Sequence, residues 1–383
     1  MKWTSKLRVQ QTLAFQEPDR VPHGEFAIDF EMVSRVLGRP SLHRGRYLED
    51  QALADGRWDE VAEDYCVDYA EVADIFGWDL LVLTLIPSRS VRPASWQLQA
   101  DGLYTRGNGV YYARTPQNWM LEMRNERPRG NPLPPLDSIV YHEPELPDDS
   151  CFTAIDALTA RYAETHYLVL RLPLGIDYPM FGHDTEEGYG NLLEQPELVD
   201  RWCAVRDAQA QALTRKLLDR CPRVDAVLLS EDYSSNQGPL VSPVCFRRWI
   251  VPGLTLVAGE AHRRGKAVFK HACGNNWALL DAFLDAGIDV YQSIQPSAGM
   301  DMARLKEQYR NRLTLWGGVS VESLIGGTPD DVTGEMREAI RVAAPGGGLI
   351  AGAAHSIGVG TKYENYQAMI RTLNEYGRYP ISR

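Results

Sequence analysis

Residues 266–318 read KAVFKHACGNNWALLDAFLDAGIDVYQSIQPSAGMDMARLKEQYRNRLTLWGG. Three short apolar runs, at 266–271, 288–294 and 313–318, alternate there with two helical stretches at 276–287 and 301–311. Strand, helix and strand in succession predict parallel pairing through right-handed crossovers. The same alternation extends outward in both directions. VPHGEFA (21–27), DLLVLTL (79–85), YLVLRLPL (167–174) and DAVLLSE (225–231) precede the stretch, and LIAGA (349–353) follows it. Helical patterns fill 57–76, 196–220, 243–264, 329–343 and 362–377. Eight such units predict an α/β fold of the (β/α)8, or TIM-barrel, class.

Three features depart from the minimal repeat. The opening MKWTSKLRVQQTLAFQEPDRVP reads as an amphipathic helix ending before Pro18, an N-terminal extension and not a signal peptide. Residues 86–150 are too long for an ordinary loop after the second strand. Within them DGLYTRGNGVYYART predicts a β-hairpin turning at Asn108-Gly109, placed as a lid or dimer contact. A Gly- and aromatic-rich segment, 175–195, follows the third strand. With no internal repeat or linker, the expectation is a single domain over 1–383.

Composition narrows the function classes. Forty Lys and Arg against 51 Asp and Glu give a formal charge of −11, which repels phosphate backbones and anionic lipid. Nucleic acid and membrane are therefore not expected partners, and no run of about 18 apolar residues suggests a span. Six scattered cysteines suit reduced thiols and a cytoplasmic location. The PGGG at 345–348 lacks a following Lys-Ser/Thr, so it reads as a turn into the last strand and not as a phosphate loop.

Barrel active sites lie at the C-terminal strand ends, and those ends carry the chemically capable residues. The third strand leads into Asp177 and Tyr178. The fourth runs into Ser230-Glu231-Asp232-Tyr233 and the fifth into His271-Ala272-Cys273-Gly274-Asn275. The sixth ends at Gln292 to Gln295, the seventh at Trp316, and the eighth at His355-Ser356. At a period of two, His271 and Cys273 share one side, the pocket side. Imidazole beside thiolate suits Zn²⁺, with His355 as third ligand. Glu231 or Asp232 is left as a fourth ligand or as a group supporting the others.

These residues resemble the uroporphyrinogen decarboxylase superfamily. HACGN is similar to the H-x-C-G segment of its methyltransferases. EDYSSNQGPLVSPVCFRRWIVP (231–252) resembles its fourth-strand segment, in which an acidic pair precedes a Gln-Gly turn. Residues 288–319 and 353–379 resemble its C-terminal half, and DRVP its entry to the first strand. The resemblance covers essentially the whole chain. True uroporphyrinogen decarboxylases carry an R-x-x-R-Q-A-G-R-Y segment at the first strand. Here the place reads Pro22 to Phe30, without arginine and with Glu25 and Asp29, which argues against a tetra-acid substrate.

The resemblance implies the zinc methyltransferase branch, whose members work with corrinoid proteins. Aligning TKYENY with that branch's T-P-x-E-N sets His355 where the coenzyme M enzymes have a cysteine, which makes zinc a stronger Lewis acid. The expectation is a zinc-dependent methyltransferase or demethylase acting on a small methylated molecule. Zinc would sit on His271, Cys273 and His355. Glu231 or Asp232 would steer or protonate the leaving atom, and Asp177, Tyr178, Tyr233, Gln295 and Trp316 would bind substrate. The 383 residues contain no D-x-H-x-x-G corrinoid motif, so a corrinoid is expected on a partner protein. A homodimer is a further expectation from the resemblance. Two alternatives remain open at this level: metal-independent decarboxylation of a small acid held by Arg171, His271 or Arg92, and a non-catalytic barrel that binds a tetrapyrrole or corrinoid partner.

Overall fold

A computed structural model gives the architecture and describes residues 3–105, 111–114, 121–123, 135–176 and 185–381. Seven parallel strands form one sheet in chain order. They are Leu80–Leu83, Tyr167–Arg171, Ala226–Leu229, Ala267–His271, Val290–Gln292, Thr314–Val319 and Leu349–Ala353. Six lie within the runs expected from the sequence to be strands, and Thr314–Val319 overruns its run, 313–318, by one residue.

The first expected strand, 21–27, is an extended stave instead of a regular ladder. It nevertheless closes the barrel. The Ala351 amide donates to Pro22 O, the Gly24 amide to Ala351 O, and the Asp79 and Leu80 amides both donate to His23 O. Pro22 has no amide proton to offer, so the ladder is interrupted where it would otherwise be continuous.

Period-two alternation divides each strand between two cores. Leu80, Val82, Tyr167, Val169, Ala226, Leu228, Phe269, Val290, Trp316 and Ile350 fill the barrel interior together with Phe26. The intervening residues, among them Leu81, Leu168, Val227, Val268 and Leu315, pack outward against the helices. Val9, on the N-terminal helix Ser5–Leu13, is wholly buried against the interior cluster and caps it from below.

Local chemistry sets the helix limits. Pro329–Ala343 begins with a capping box of Thr328 and Asp331 and a proline in its first turn. The helix expected over 243–264 is in fact two, Pro243–Trp249 and Val251–His262, because Pro252 starts a new first turn. The inserted segment forms a four-stranded antiparallel sheet in which Tyr104 pairs with Tyr112. The strands therefore form the expected hairpin, while its Asn108-Gly109 tip lies outside the described residues. Trp96 ties this insert to the helix Tyr47–Ala54, its indole N–H donating to Asp50 at 3.2 Å and its amide to Gln51 at 3.0 Å. Among the described residues no helix is long and apolar enough to cross a membrane.

Candidate metal centre in the barrel mouth

The strand Ala267–His271 sends alternate residues inward, so Phe269 is interior, His271 stands at the rim, and Cys273 follows on the same side. The turn after it is held from beneath. Asn276, fully buried, donates through Nδ2 to Ala272 O (3.0 Å) and Cys273 O (2.8 Å), and its Oδ1 accepts from Ser234 Oγ at 2.9 Å. Gly274 has φ +81, and a Cβ there would lie 2.5 Å from Ser234 O, so glycine alone fits. The expected helix over 276–287 shortens to Leu280–Asp285 because Asn276 serves this turn.

His271, Cys273 and His355 converge. Their candidate ligand atoms lie within 4.8 Å of one another, and Cys273 Sγ is 3.2 Å from His271 Nε2. Gln292 sets the His271 tautomer. Its amide nitrogen donates to Ala353 O at 3.3 Å, which turns Oε1 toward His271 Nδ1. The hydrogen-bond network therefore assigns the ring proton to Nδ1 and leaves the Nε2 lone pair facing the thiol. Phe26 stacks flat on His271 at 4.0 Å and 5°, which fixes the plane of the ring. Ser293, a non-glycine residue at φ +82, directs Oγ to Cys273 Sγ at 3.5 Å.

Burial leaves the cluster without charge of its own. Burial, and then the neighbouring His355 ring, hold His271 well below the ordinary histidine range. Burial likewise lowers His355. Burial, reinforced by Asp232, pushes the Cys273 thiol up to about 12. A bound cation would have to displace the thiol proton, which divalent metals do readily at such sites. His355 also has an exchange to make. The Ser356 amide donates to its Nδ1 at 2.7 Å, so the neutral ring carries its proton on Nε2. The donor set of one thiol and two neutral imidazoles fits a zinc-type ion, given one hydrogen bond surrendered by His355.

The two acids of the pair expected near the metal have different fates. Asp232 shares the inward parity of Leu228 and Ser230; its Oδ1 lies 3.9 Å from His271 Nε2 and accepts the Cys273 amide at 2.6 Å. Glu231 faces outward and pairs with the fully buried Lys270 at 2.9 Å, while Lys270 Nζ also donates to Glu231 O and sits over the Tyr233 ring. Glu231 is thus engaged behind the barrel wall and does not face the cluster.

Of the residues expected to bind substrate, Tyr233 is wholly buried, donating its hydroxyl to Ile176 O at 2.5 Å and packing on Phe246 and Phe283. Trp316 is also buried, in the barrel interior, with its indole N–H on Gly24 O at 2.9 Å. Gln295 accepts the Gly274 amide at 3.1 Å and reaches Asn236 and Ser297, bracing the loops. Asp177 and Tyr178 lie outside the described residues.

A cavity of about 510 Å³ opens over the cluster, with Phe26, His271, His355, Asp232, Arg171 and Arg44 in its wall. That size suits a small molecule. Arg44 and Arg46, with the buried Asp29 between them, escaped sequence reading because the loop that carries them has no periodicity; a pair of arginines flanking Gly45 was the only signal.

The fold and the cluster together define a barrel with a candidate thiol and imidazole metal site at its C-terminal mouth. A family model described as uroporphyrinogen decarboxylase (URO-D) matches residues 180–376, more than half the chain, and the protein belongs to that family. Among solved structures, a methyltransferase from Methanosarcina mazei is similar over 98% of this chain and 99% of its own, with TM-score 0.67 and 17% identity. At that identity the likeness shows the fold. A sugar phosphate isomerase/epimerase from Parabacteroides distasonis is similar over 94% of this chain and 98% of its own, at TM-score 0.39 and 10% identity. No curated protein matches the chain in sequence.

Proposed function

We propose that the protein is a zinc-dependent methyltransferase that moves a methyl group between a small methylated substrate and a corrinoid carried by a partner protein. The observation that carries this reading is the convergence of His271, Cys273 and His355 on one point beside the cavity. The Methanosarcina neighbour, with which the chain shares its fold, is a methyltransferase, and this supports the same choice.

His271 and Cys273 would hold the ion, with His355 completing three protein ligands. Bound zinc would supply Lewis acidity toward a methyl-bearing heteroatom. The chain's own groups do the remaining work. Gln292 and Phe26 hold the His271 ring in one tautomer and one plane, and Ser293 and Asn276 fix where the sulfur stands. Asp232, half exposed beside His271, is placed to carry a proton to or from the heteroatom. Glu231 has no such access while Lys270 holds it.

Metal analysis tests the reading. Metal-replete wild-type protein is expected to hold about one zinc per chain, and Cys273→Ala to lose most of it while keeping its circular dichroism. Zinc below about a tenth of an equivalent in the wild type would overturn the assignment. Methyl transfer from a methoxylated or methylamine donor to added cob(I)alamin by the zinc-loaded protein, giving methylcobalamin and the protonated, demethylated donor and lost in Cys273→Ala, is the expected activity.

A further inference from the structure

The cavity has a second chemical pole. Arg171 ends its strand with inward parity, its Nε donating to Ser230 Oγ at 2.9 Å and its Cζ lying 5.6 Å from the Phe26 ring centre. Among the described residues it makes no ion pair, and it lines the cavity. Burial, and then the proximity of Arg44, lower its pKa, which marks two guanidiniums sharing a wall. Arg44 Nε and Arg46 Nη2 each take one oxygen of Asp29, at 2.9 Å and 2.6 Å, and so share its single charge. Arg46 Nε is buried with no hydrogen-bond partner. Both arginines also stand at positive φ, 52° and 58°, a strained backbone for non-glycine residues that often marks a functional loop.

Charge arithmetic points the same way. Three guanidiniums line the cavity against two carboxylates, Asp29 and Asp232, an excess of one positive charge. A buried cation without an anion is costly, and a monoanion would complete the set. We propose that Arg171, supported by Arg44 and Arg46, receives a carboxylate of the substrate end-on, so that the molecule converted at the His271–Cys273–His355 cluster is a small acid.

The inference rests on this cavity being the reactive one and adds the substrate class to that reading. Phe26 supplies the spacing. Its ring centre lies 5.6 Å from Arg171 Cζ and 4.0 Å from the His271 ring, so the two poles are within about 10 Å. An acid whose carboxylate and reacting heteroatom are separated by one small ring spans that gap. The planar guanidinium fork, with Nε already occupied, offers two parallel N–H groups that match a carboxylate.

Calorimetry tests this on metal-free and zinc-loaded protein, with acetate, benzoate and 4-methoxybenzoate, each against its neutral alcohol. At least one acid is expected to bind about 10- to 100-fold more tightly than its alcohol, the preference narrowing as salt rises. Arg171→Gln should abolish the preference and leave alcohol affinity within about twofold, whereas Arg171→Lys should keep part of it. Ser230→Ala, which frees the guanidinium without removing it, should give an intermediate loss and serves if Arg171→Gln fails to fold. No acid preference in wild type, or a preference that survives in folded Arg171→Gln, overturns the proposal. A preference seen only with zinc and untouched by Arg171→Gln also overturns it, because the metal would then hold the anion. Acid preference in a protein that binds no zinc would leave this proposal standing and remove only the methyl-transfer reading.

Discussion

Two buried aspartates, one at each rim of the barrel, are each clasped by two arginines, yet the two clusters are balanced differently. At the N-terminal rim Asp79 accepts from Arg20 at 2.6 Å and 2.9 Å, from Arg8 at 3.1 Å and from the His23 amide at 3.1 Å. Arg8 turns its remaining edge to Asp19, so two acids meet two cations. At the C-terminal rim Asp29 meets Arg44 and Arg46 in a similar grip, but Arg171 stands nearby without a counter-ion. The lower cluster is closed and pins the N-terminal helix to the barrel. The upper one is open by one charge, at the end of the fold where barrel chemistry takes place. Identical residue types therefore separate into scaffold and site by charge count and not by burial.

The comparison can be broken most directly at Asp79. Asp79→Ala leaves the partly buried Arg20 without its carboxylate and removes one of the two that hold Arg8, and should lower unfolding free energy by about 3–5 kcal/mol in denaturant titration. A loss under about 1 kcal/mol would mean that the lower cluster clamps nothing. Asp29→Asn should cost less, roughly 1–3 kcal/mol, because the amide oxygen still accepts a hydrogen bond from one of the two arginines. The same change should tighten carboxylate binding several-fold by increasing the cation excess, an effect that Asp79→Asn should not share.

Between the rims, on the same stave, Glu25 offers the contrast of a buried acid with no arginine at all. Burial raises it to about 8, against hydrogen bonds from the Ala353 amide and Tyr366 hydroxyl. Its folded form therefore holds a proton that the unfolded chain releases above about pH 4.5. Stability from this group is present in full below that pH and is lost as pH rises toward about 8. Glu25→Gln should flatten the dependence, raising stability at pH 7 relative to pH 5 by about 1–2 kcal/mol, read from melts at the two pH values.

How far the sequence reveals these features depends on periodicity. The barrel follows from strand and helix alternation, and 196–220 and 329–343 match their helices end to end. The same period of two that selected His271 and Cys273, carried from Leu228 through Ser230, separates Asp232 from Glu231. Residue type alone misleads about depth. Tyr233 and Trp316 sit at strand ends as expected wall residues would, yet one packs behind the wall and the other below the cavity. Arg44 and Arg46 come from a loop whose shape depends on positive φ at both residues, which neither pattern nor propensity announces. The first strand carries no arginine segment, yet arginines from elsewhere in the chain supply cations to the same mouth.

The interior packing has one last consequence. Among the described residues, Val9 seals the underside and Trp316 is wedged across the bore on Gly24 O, so the barrel opens at its C-terminal mouth. Whatever enters past Arg171 must leave the same way, and any protein that covers that mouth halts the traffic. In the proposed methyl transfer, a partner protein docked over that mouth would have to leave before the small molecule could exchange.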